Sequence, residues 1–423
     1  MPQSATLPTP PMDRSTFDYD VAIVGGGIVG ATLAASLKHS GLSVAIIEAQ
    51  SQSEAVAKGQ AYAIHLSSRH IFERIGIWSR LEPQVEYFRQ VRLSDADSPH
   101  VVEFESADLK TKAIGYVAKH RVLLQELQNF LERCEQVSWF CPAQVTEASY
   151  DAQGATLQLA QEPGPSGETL PSSLRVRMVV AADGSRSQTR QQAGIGTHGW
   201  PYWQSCVVAT IAPEKHHNHI AYEKFWPSGP FAILPAAADE CRIVWTAPHK
   251  EAQALVDLDD EQFIEQLNHR YGDQMGRLSL VGKRYLFPAK WMQANRYVQS
   301  RLALVGDAAH SCHPVGGQGL NLGIRDAATL AQVLTVAHQH GEDIGDLMVL
   351  RRYQGWRRGQ NYLSLGFTDV LNRTFSNQWF PVMQVRRIGL WIMQHVPPLK
   401  IWSLKFMAGL HGRSPNVTGT EIV

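Results

Sequence analysis

The stretch "YDVAIVGGGIVGATLAASLKHSGLSVAIIEA", residues 19–49, decides the fold. Residues 19–24 form a short apolar run of the kind a buried parallel strand needs. The turn and helix that follow end at Gly41, and "LSVAIIEA" is a second such strand, so the segment is a complete βαβ unit. Gly25, Gly27 and Gly30 fit G-x-G-x-x-G between strand and helix. The first glycine permits the tight turn, the second lets backbone approach a pyrophosphate, and the third lets helix and strand pack closely. Glu48 ends the second strand 18 residues past Gly30, where a carboxylate accepts hydrogen bonds from a ribose. A carboxylate there repels a 2′-phosphate, so the pattern points to NAD or FAD rather than NADP. A glycine turn with no ligand is the plain alternative; the whole strand, loop, helix, strand and Glu context argues against it.

A second glycine-rich stretch lies nearly three hundred residues downstream: "GDAAHSCHPVGGQGLNLGIRDA", residues 306–327, after the apolar run "RLALV". Gly306 and Asp307 open it, and Gly316, Gly317, Gly319 and Gly323 crowd one turn before a helix. One phosphate loop handles one end of a dinucleotide. FAD is long, and its ribitol and ring need a cradle of their own. Asp307 can bond the ribitol or pyrophosphate side, and "GGQGLN" lets backbone N–H groups converge at a helix start. A reduced flavin is anionic, and a helix N-terminus is a fixed positive field for it. The two loops therefore read as grips on opposite ends of one FAD. A helix cap would need one glycine or Asx, not this run.

At 423 residues the chain is long enough for two domains, or for one with a large insertion. Hydrophobic residues at 44% and charged residues at 18% fit a sizeable core, and a formal net charge of zero gives no sign of a nucleic-acid partner. Cys134, Cys141, Cys206, Cys241 and Cys312 are scattered without a CxxC pair, which suits free thiols in a reducing, cytoplasmic compartment. Residues 1–16 read as a disordered leader without a signal-peptide core, and no run of about 18 apolar residues suggests a spanning helix. "QEPGPSGETLPSS", residues 161–173, reads as a hairpin turn. From about 200 to 290 the texture becomes short antiparallel strands with one acidic helix, "LDDEQFIEQLNHRYG". The expected fold class is α/β (α+β): a Rossmann-like FAD-binding domain with an inserted β-rich substrate domain and a C-terminal helical tail. The boundaries expected are 17–87, 112–190 and 290–365 for the discontinuous FAD-binding domain, 88–111 and 191–289 for the substrate domain, and 366–423 for the tail.

"YDVAIVGGGIVGATLAASL", "VVAADGSRSQTR" and "LALVGDAAHSCHPVGGQGLNLGIRDA" resemble the three FAD motifs of the p-hydroxybenzoate-hydroxylase-like flavoprotein monooxygenases. "IGYVAKHRVLLQEL", "FWPSGPFAILPA" and "RIVWTAP" resemble the ubiquinone-biosynthesis hydroxylase branch. The resemblance runs from about Tyr19 to the end of the chain. It implies that FAD is held by Gly25, Gly27, Gly30, Glu48, Arg121, Asp183, Gly184, Gly306, Asp307, Gly317, Gly319, Leu320 and Asn321. Asp183 and Gly184 would also touch a nicotinamide donor. One departure is Gln60, where many members have Arg. The implied activity is FAD-dependent hydroxylation of an aromatic ring, a prenylated phenol or quinone precursor, by O2 through a flavin C4a-hydroperoxide. NADH, NADPH or a ferredoxin-type protein is the implied electron donor.

The cofactor carries the hard chemistry, so no acid–base engine is expected. Pro314, Val315 and Gly316 should line the flavin face, and Tyr222, Phe225, Phe231, Leu234 and Trp245 should wall a substrate pocket, with plain core packing open for all five. His310 and His313 flank the flavin turn, as general bases or as capping and packing groups. "HHNH", residues 216–219, lacks Cys or carboxylate partners at ligand spacing, so it reads as a solvated loop and no metal site is expected. From Arg351 to Arg413 there are ten Lys or Arg against one acid, Asp369, with four Trp. Such a tail suits an anionic membrane surface or a quinone-biosynthesis complex, or docks on the FAD domain with a solvated basic face. Other readings of the same scaffold are an isoprenoid reductase, a halogenase (although W-x-W-x-I-P is missing), or a non-catalytic FAD-binding member of a biosynthetic complex.

Overall fold

The computed structural model describes residues 16–57, 59–96, 100–161, 171–237, 239–272 and 275–416. The expected leader, apart from Thr16, and most of the expected hairpin turn at 161–173 lie outside the described residues.

Three parallel strands set the site. Tyr19–Val24 lies between Val44–Ile47 and Ser173–Ala181, and Leu302–Leu304 extends the sheet beyond Ser173–Ala181. Val24 is in register with Ala181, and Ala181 with Leu304, so the early, middle and late motifs leave the sheet side by side. Open α/β sheets bind ligands outside such carboxyl ends. The helix Ile28–Ser36 is buried along almost its whole length, as its "IVGATLAAS" composition requires.

A second sheet of eight strands runs in the order His310–Ser311, Leu278–Ala294, Thr197–Pro213, Cys241–Pro248, Gly229–Pro235, Ile220–Trp226, Gln90–Asp95, Val101–Glu105. One face of it is covered by two helices, His249–Asp257 and Asp260–Tyr271. The sequence reading expects only the second of these. The first forms because Ala252 and Leu255, three apart, bury one side of it. A small third sheet joins Ala61–His65, Gly115–Lys119 and Glu86–Phe88. Two long helices, Gln318–Gln339 and Leu347–Phe375, follow the late motif, and the chain goes on through helices Phe380–His395 and Pro397–Met407. Among the described residues no helix is long and apolar enough to cross a membrane.

The tail helix Phe380–His395 buries a cation beside its inward apolar residues and leaves other apolar side chains in solvent. Its buried residues are Arg386 and Leu390, while Val385, Ile388 and Trp391 are at least half exposed. Arg386 is held by Asp95 through two contacts of 2.9 Å and by the carbonyl of Asn377 at 2.8 Å. Six of the ten tail cations counted in the sequence are paired with carboxylates, Arg352, Arg357, Arg373, Arg386, Arg387 and Lys400. The expected solvated basic face is therefore largely neutralised from within.

Candidate active site

Both glycine loops open onto one cavity of about 1120 Å³. Its walls include Gly27 from the early loop, Gly184 from the middle motif, and Asp307, Pro314, Val315, Gly316, Gly317, Gly319 and Leu320 from the late one. The helix starting at Ile28 and the helix starting at Gln318 both lack a side-chain cap. Their first-turn N–H groups have no partner within the helix, so two positive helix ends face the same space. This is the chemistry an anionic dinucleotide requires.

The remaining early glycines work from behind the wall. Gly25 has φ +108°, and a Cβ on Gly30 would sit 2.0 Å from the Gly25 carbonyl oxygen. Gly26 donates its N–H to Glu48 at 2.8 Å, which fixes the carboxylate beside the loop. Val29 wedges between the two loops: a Cβ on Gly323 would lie 2.7 Å from its side chain, and one on Gly306 3.3 Å. Asp183 accepts from the Thr189 backbone and hydroxyl, at 3.0 and 2.9 Å, through one oxygen, and its other oxygen is buried with no partner in the chain. That orphaned acceptor, the open space over Gly27 and Gly184, and the two uncapped helix ends fit a flavin dinucleotide.

A hydrogen-bonded frame holds the late turn in place. Asn321 accepts from the His65 N–H (2.9 Å) and the Ser68 hydroxyl (2.7 Å), and donates to the carbonyls of Ala63 (2.8 Å) and Gly317 (2.7 Å). The Asn321 side chain is thus spent on positioning, and the residue, expected among those that bind the cofactor, is buried off the wall. Neutral His65 donates through Nε2 to the Gly316 carbonyl at 3.0 Å, and burial depresses its pKa to about 4. On the other side Asp326 accepts from the Gly306 N–H at 3.2 Å, His310 at 2.6 Å, Arg357 at 2.8 Å and Asn361 at 2.9 Å. Burial alone would raise the Asp326 pKa, but His310 and Arg357 hold it well below the usual carboxylate range. His310 is therefore a structural partner. His313 packs edge-on against Tyr202, and burial lowers its pKa to about 3.

The rest of the wall is mostly apolar, with a few polar and charged groups set into it. Phe225 and Leu234 reach it and Tyr222 borders it while its ring packs on Tyr271 at 5.5 Å, but Phe231 and Trp245 do not reach it. Those two form a T-shaped pair at 5.6 Å in the core beneath the helices. Strand alternation explains the correction. Pro230, Ala232 and Leu234 share one face of their strand, and Arg242, Val244 and Thr246 share that face of the next, so Phe231 and Trp245 point away. Arg121 is also off the wall and exposed, with His120 lining instead. Residues the sequence reading missed include Glu223 and Arg242, polar groups inside apolar strands, and Met393, Leu404 and Met407 from the tail. Asp307 faces the cavity, and enclosure by protein raises its pKa, an effect moderated by His310 and Lys290. Cys312 also lines the wall, and burial pushes its thiol up to about 12, so it stays protonated.

Strands whose early, middle and late turns meet at one largely apolar cavity, with two uncapped helix ends facing it, define a protein built to hold a dinucleotide. The sequence matches the family described as "FAD binding domain" over residues 18–353, and the chain belongs to that family as an FAD-dependent aromatic-ring monooxygenase. It is 38% identical over 403 residues to the ubiquinone hydroxylase UbiL of Rhodospirillum rubrum, covering 94% of this chain and 91% of that one. It is 33% identical over 396 residues to the 3-demethoxyubiquinol 3-hydroxylase of Escherichia coli, covering 92% and 98%. The crystal structure of the p-nitrophenol 4-monooxygenase PnpA from Pseudomonas putida shares the fold, with a TM-score of 0.75, 20% identity and coverage of 95% and 99%.

Proposed function

We propose that the protein hydroxylates the ring of a prenylated phenol or quinone precursor that it takes from a membrane surface. Supporting observations are the relatives' names and the make-up of the cavity roof. Helices Phe380–His395 and Pro397–Met407 give Met393, Leu404 and Met407 to the cavity. The same helices turn Trp391 and Trp402 outward, half exposed, with Trp379 and Phe380 more than half exposed just before and at their start. A lipid chain that enters between them would pass from one apolar surface to another.

In this reading the FAD adenosine end lies at the Gly27 loop beside Glu48, and the ring end lies against Pro314, Val315, Gly316 and Gly317. FAD, once reduced, supplies the electrons that activate O2. The chain's own part is to frame the ring through His65 and Asn321, to exclude water with Val315, Phe225 and Leu404, and to orient the substrate. The segments 17–87, 112–190 and 290–365 would form the cofactor unit and 88–111 with 191–289 the substrate unit. A nicotinamide or ferredoxin-type donor would reduce the flavin from outside. The protein would work in the cytoplasm, against the membrane and alongside other enzymes of quinone synthesis.

Oxygen uptake with NADH, NADPH or reduced ferredoxin, together with product mass from ortho-prenylphenol, tests the chemistry; a product that gains one oxygen atom is expected. Flotation with phosphatidylglycerol-containing liposomes tests the surface. Because the tail cations are mostly paired, attachment should survive added salt and weaken in Trp379→Ser/Trp391→Ser. No oxygenated product with any donor, or no flotation, contradicts the corresponding half of the reading.

A further inference from the structure

Glu223 is an anomaly on the cavity wall. Its strand, Ile220–Trp226, turns Ala221, Glu223 and Phe225 to the cavity. Across the sheet, the residue's partners are Leu93 on one side and Ala232 on the other, with Val244 and Val208 beyond. One carboxyl therefore stands in the middle of an apolar row. No hydrogen bond or ion pair joins it to any described residue. Charged groups on the neighbouring strands bond elsewhere: Arg242 bonds Thr210 at 2.8 Å and Gly59 at 3.3 Å while its Nε stays without a partner, Asp95 is held by Arg386, and Arg92 pairs with Glu103. Burial pushes the carboxyl up to about 7. The side chain is half-buried and lines the cavity, so a ligand there can supply the partner that the protein does not.

We propose that Glu223 is the substrate's hydroxyl receptor and proton acceptor, binding the ring O–H of the phenol. This rests on the hydroxylase reading above. In the step assigned to it, the ring O–H bond breaks and a carboxyl O–H bond forms, while the electron pair stays on the ring oxygen and enriches the ortho and para carbons. As the oxygenated carbon then releases its own proton to water, the carboxyl returns its proton to the ring oxygen, and Glu223 ends as it began. A carboxyl poised near neutrality suits both directions of transfer.

The test uses full-length, FAD-loaded protein with ortho-prenylphenol and its methyl ether as probes, in wild type, Glu223→Gln and Glu223→Asp. Binding is read from perturbation of flavin fluorescence, without turnover. Wild type should bind the phenol about tenfold or more tighter than the ether, the range of a charge-assisted hydrogen bond, and Glu223→Gln should lose most of that preference. In turnover, Glu223→Gln should lower kcat by roughly 10²-fold or more, with KM changing far less, and erase the limb of the pH profile near neutrality; Glu223→Asp should restore a limb. In infrared difference spectra a carboxyl titrating near neutrality should vanish in Glu223→Gln. The variant removes a half-buried charge that has no partner and should melt no lower than wild type, so misfolding does not obscure the result. An unchanged phenol preference together with an unchanged pH limb in Glu223→Gln overturns the assignment. Absence of any oxygenated product from wild type sinks the hydroxylase reading instead, while the binding preference still judges Glu223.

Discussion

Asp326 offers the most demanding test of the frame around the late turn. Its carboxylate accepts four hydrogen bonds, at 2.6, 2.8, 2.9 and 3.2 Å, and both it and Arg357 are wholly buried. Asp326→Asn keeps the shape but leaves Arg357 as a buried cation without its counter-charge, a loss of about 3–5 kcal/mol where such pairs have been broken. Arg357 also bonds Gln360 and Asn361, at 2.5 and 2.6 Å, which places the expected loss at the lower end, about 3 kcal/mol. That is a large share of the roughly 5–15 kcal/mol that holds a typical domain together. Urea unfolding of the apoprotein reads the loss directly. FAD affinity should fall about tenfold as well, because the Gly306 N–H loses its charged acceptor, worth roughly 1.5 kcal/mol. The double variant Asp326→Asn/Arg357→Met should recover most of the stability, since it removes the stranded charge. Because the Asp326 pKa is depressed in the folded state, its contribution is complete above about pH 4–5 and is lost only in stronger acid, and Asp326→Asn should flatten that acid limb. A single variant within about 1 kcal/mol of wild type, or a double variant no better than the single, refutes the argument.

Other outcomes follow from the same geometry. Gly30→Ala, whose Cβ meets a backbone oxygen that cannot yield, should cost about 3 kcal/mol or more and abolish FAD binding. Gly27→Ala meets nothing within 4 Å and has an ordinary φ of −68°, so the apoprotein should unfold as wild type does while FAD retention falls. Stability should drop as pH falls from about 6.5 towards 4. Neutral His65 and His313, held at about 4 and about 3, gain protons only on unfolding, each contributing about 1.4 kcal/mol per pH unit. Glu223, held at about 7, acts with the opposite sign, so the slope should be steeper in Glu223→Gln than in wild type. A flat urea-unfolding profile across that range contradicts these assignments. Arg386→Ala leaves Asp95 with only the longer 3.4 Å contact to Arg387 and should loosen the helix Phe380–His395, visible as faster proteolysis within the tail and a loss of roughly 3 kcal/mol; Arg386→Met should be milder.

The parts of the site that the sequence made legible are those in which backbone does the work. G-x-G-x-x-G and the late glycine run constrain φ and close approach, and only glycine satisfies those constraints, so their meaning survives without coordinates. Side-chain roles were harder to see. The alternation of the strand Gly229–Pro235 shows that Phe231 and Leu234 lie on opposite faces, but which face meets the cavity depends on the helices laid over the other. Asn321 looks like a ligand until its four hydrogen bonds are traced to residues more than 250 positions away in three of the four cases. The tail misled for a physical reason: buried Arg386 and exposed Ile388 depart from the usual amphipathic code, and the departure depends on Asp95, a residue with no sequence-local signal. Glu223 did carry a signal, an acid at an inward position of an apolar strand, which period-two counting would have found.

The roof of the chamber comes from the last helices of the chain, whereas the glycine turns follow the strands Tyr19–Val24, Ser173–Ala181 and Leu302–Leu304. Substitution at Met393, Leu404 and Met407 therefore reshapes one side of the chamber without touching the glycine turns on the other.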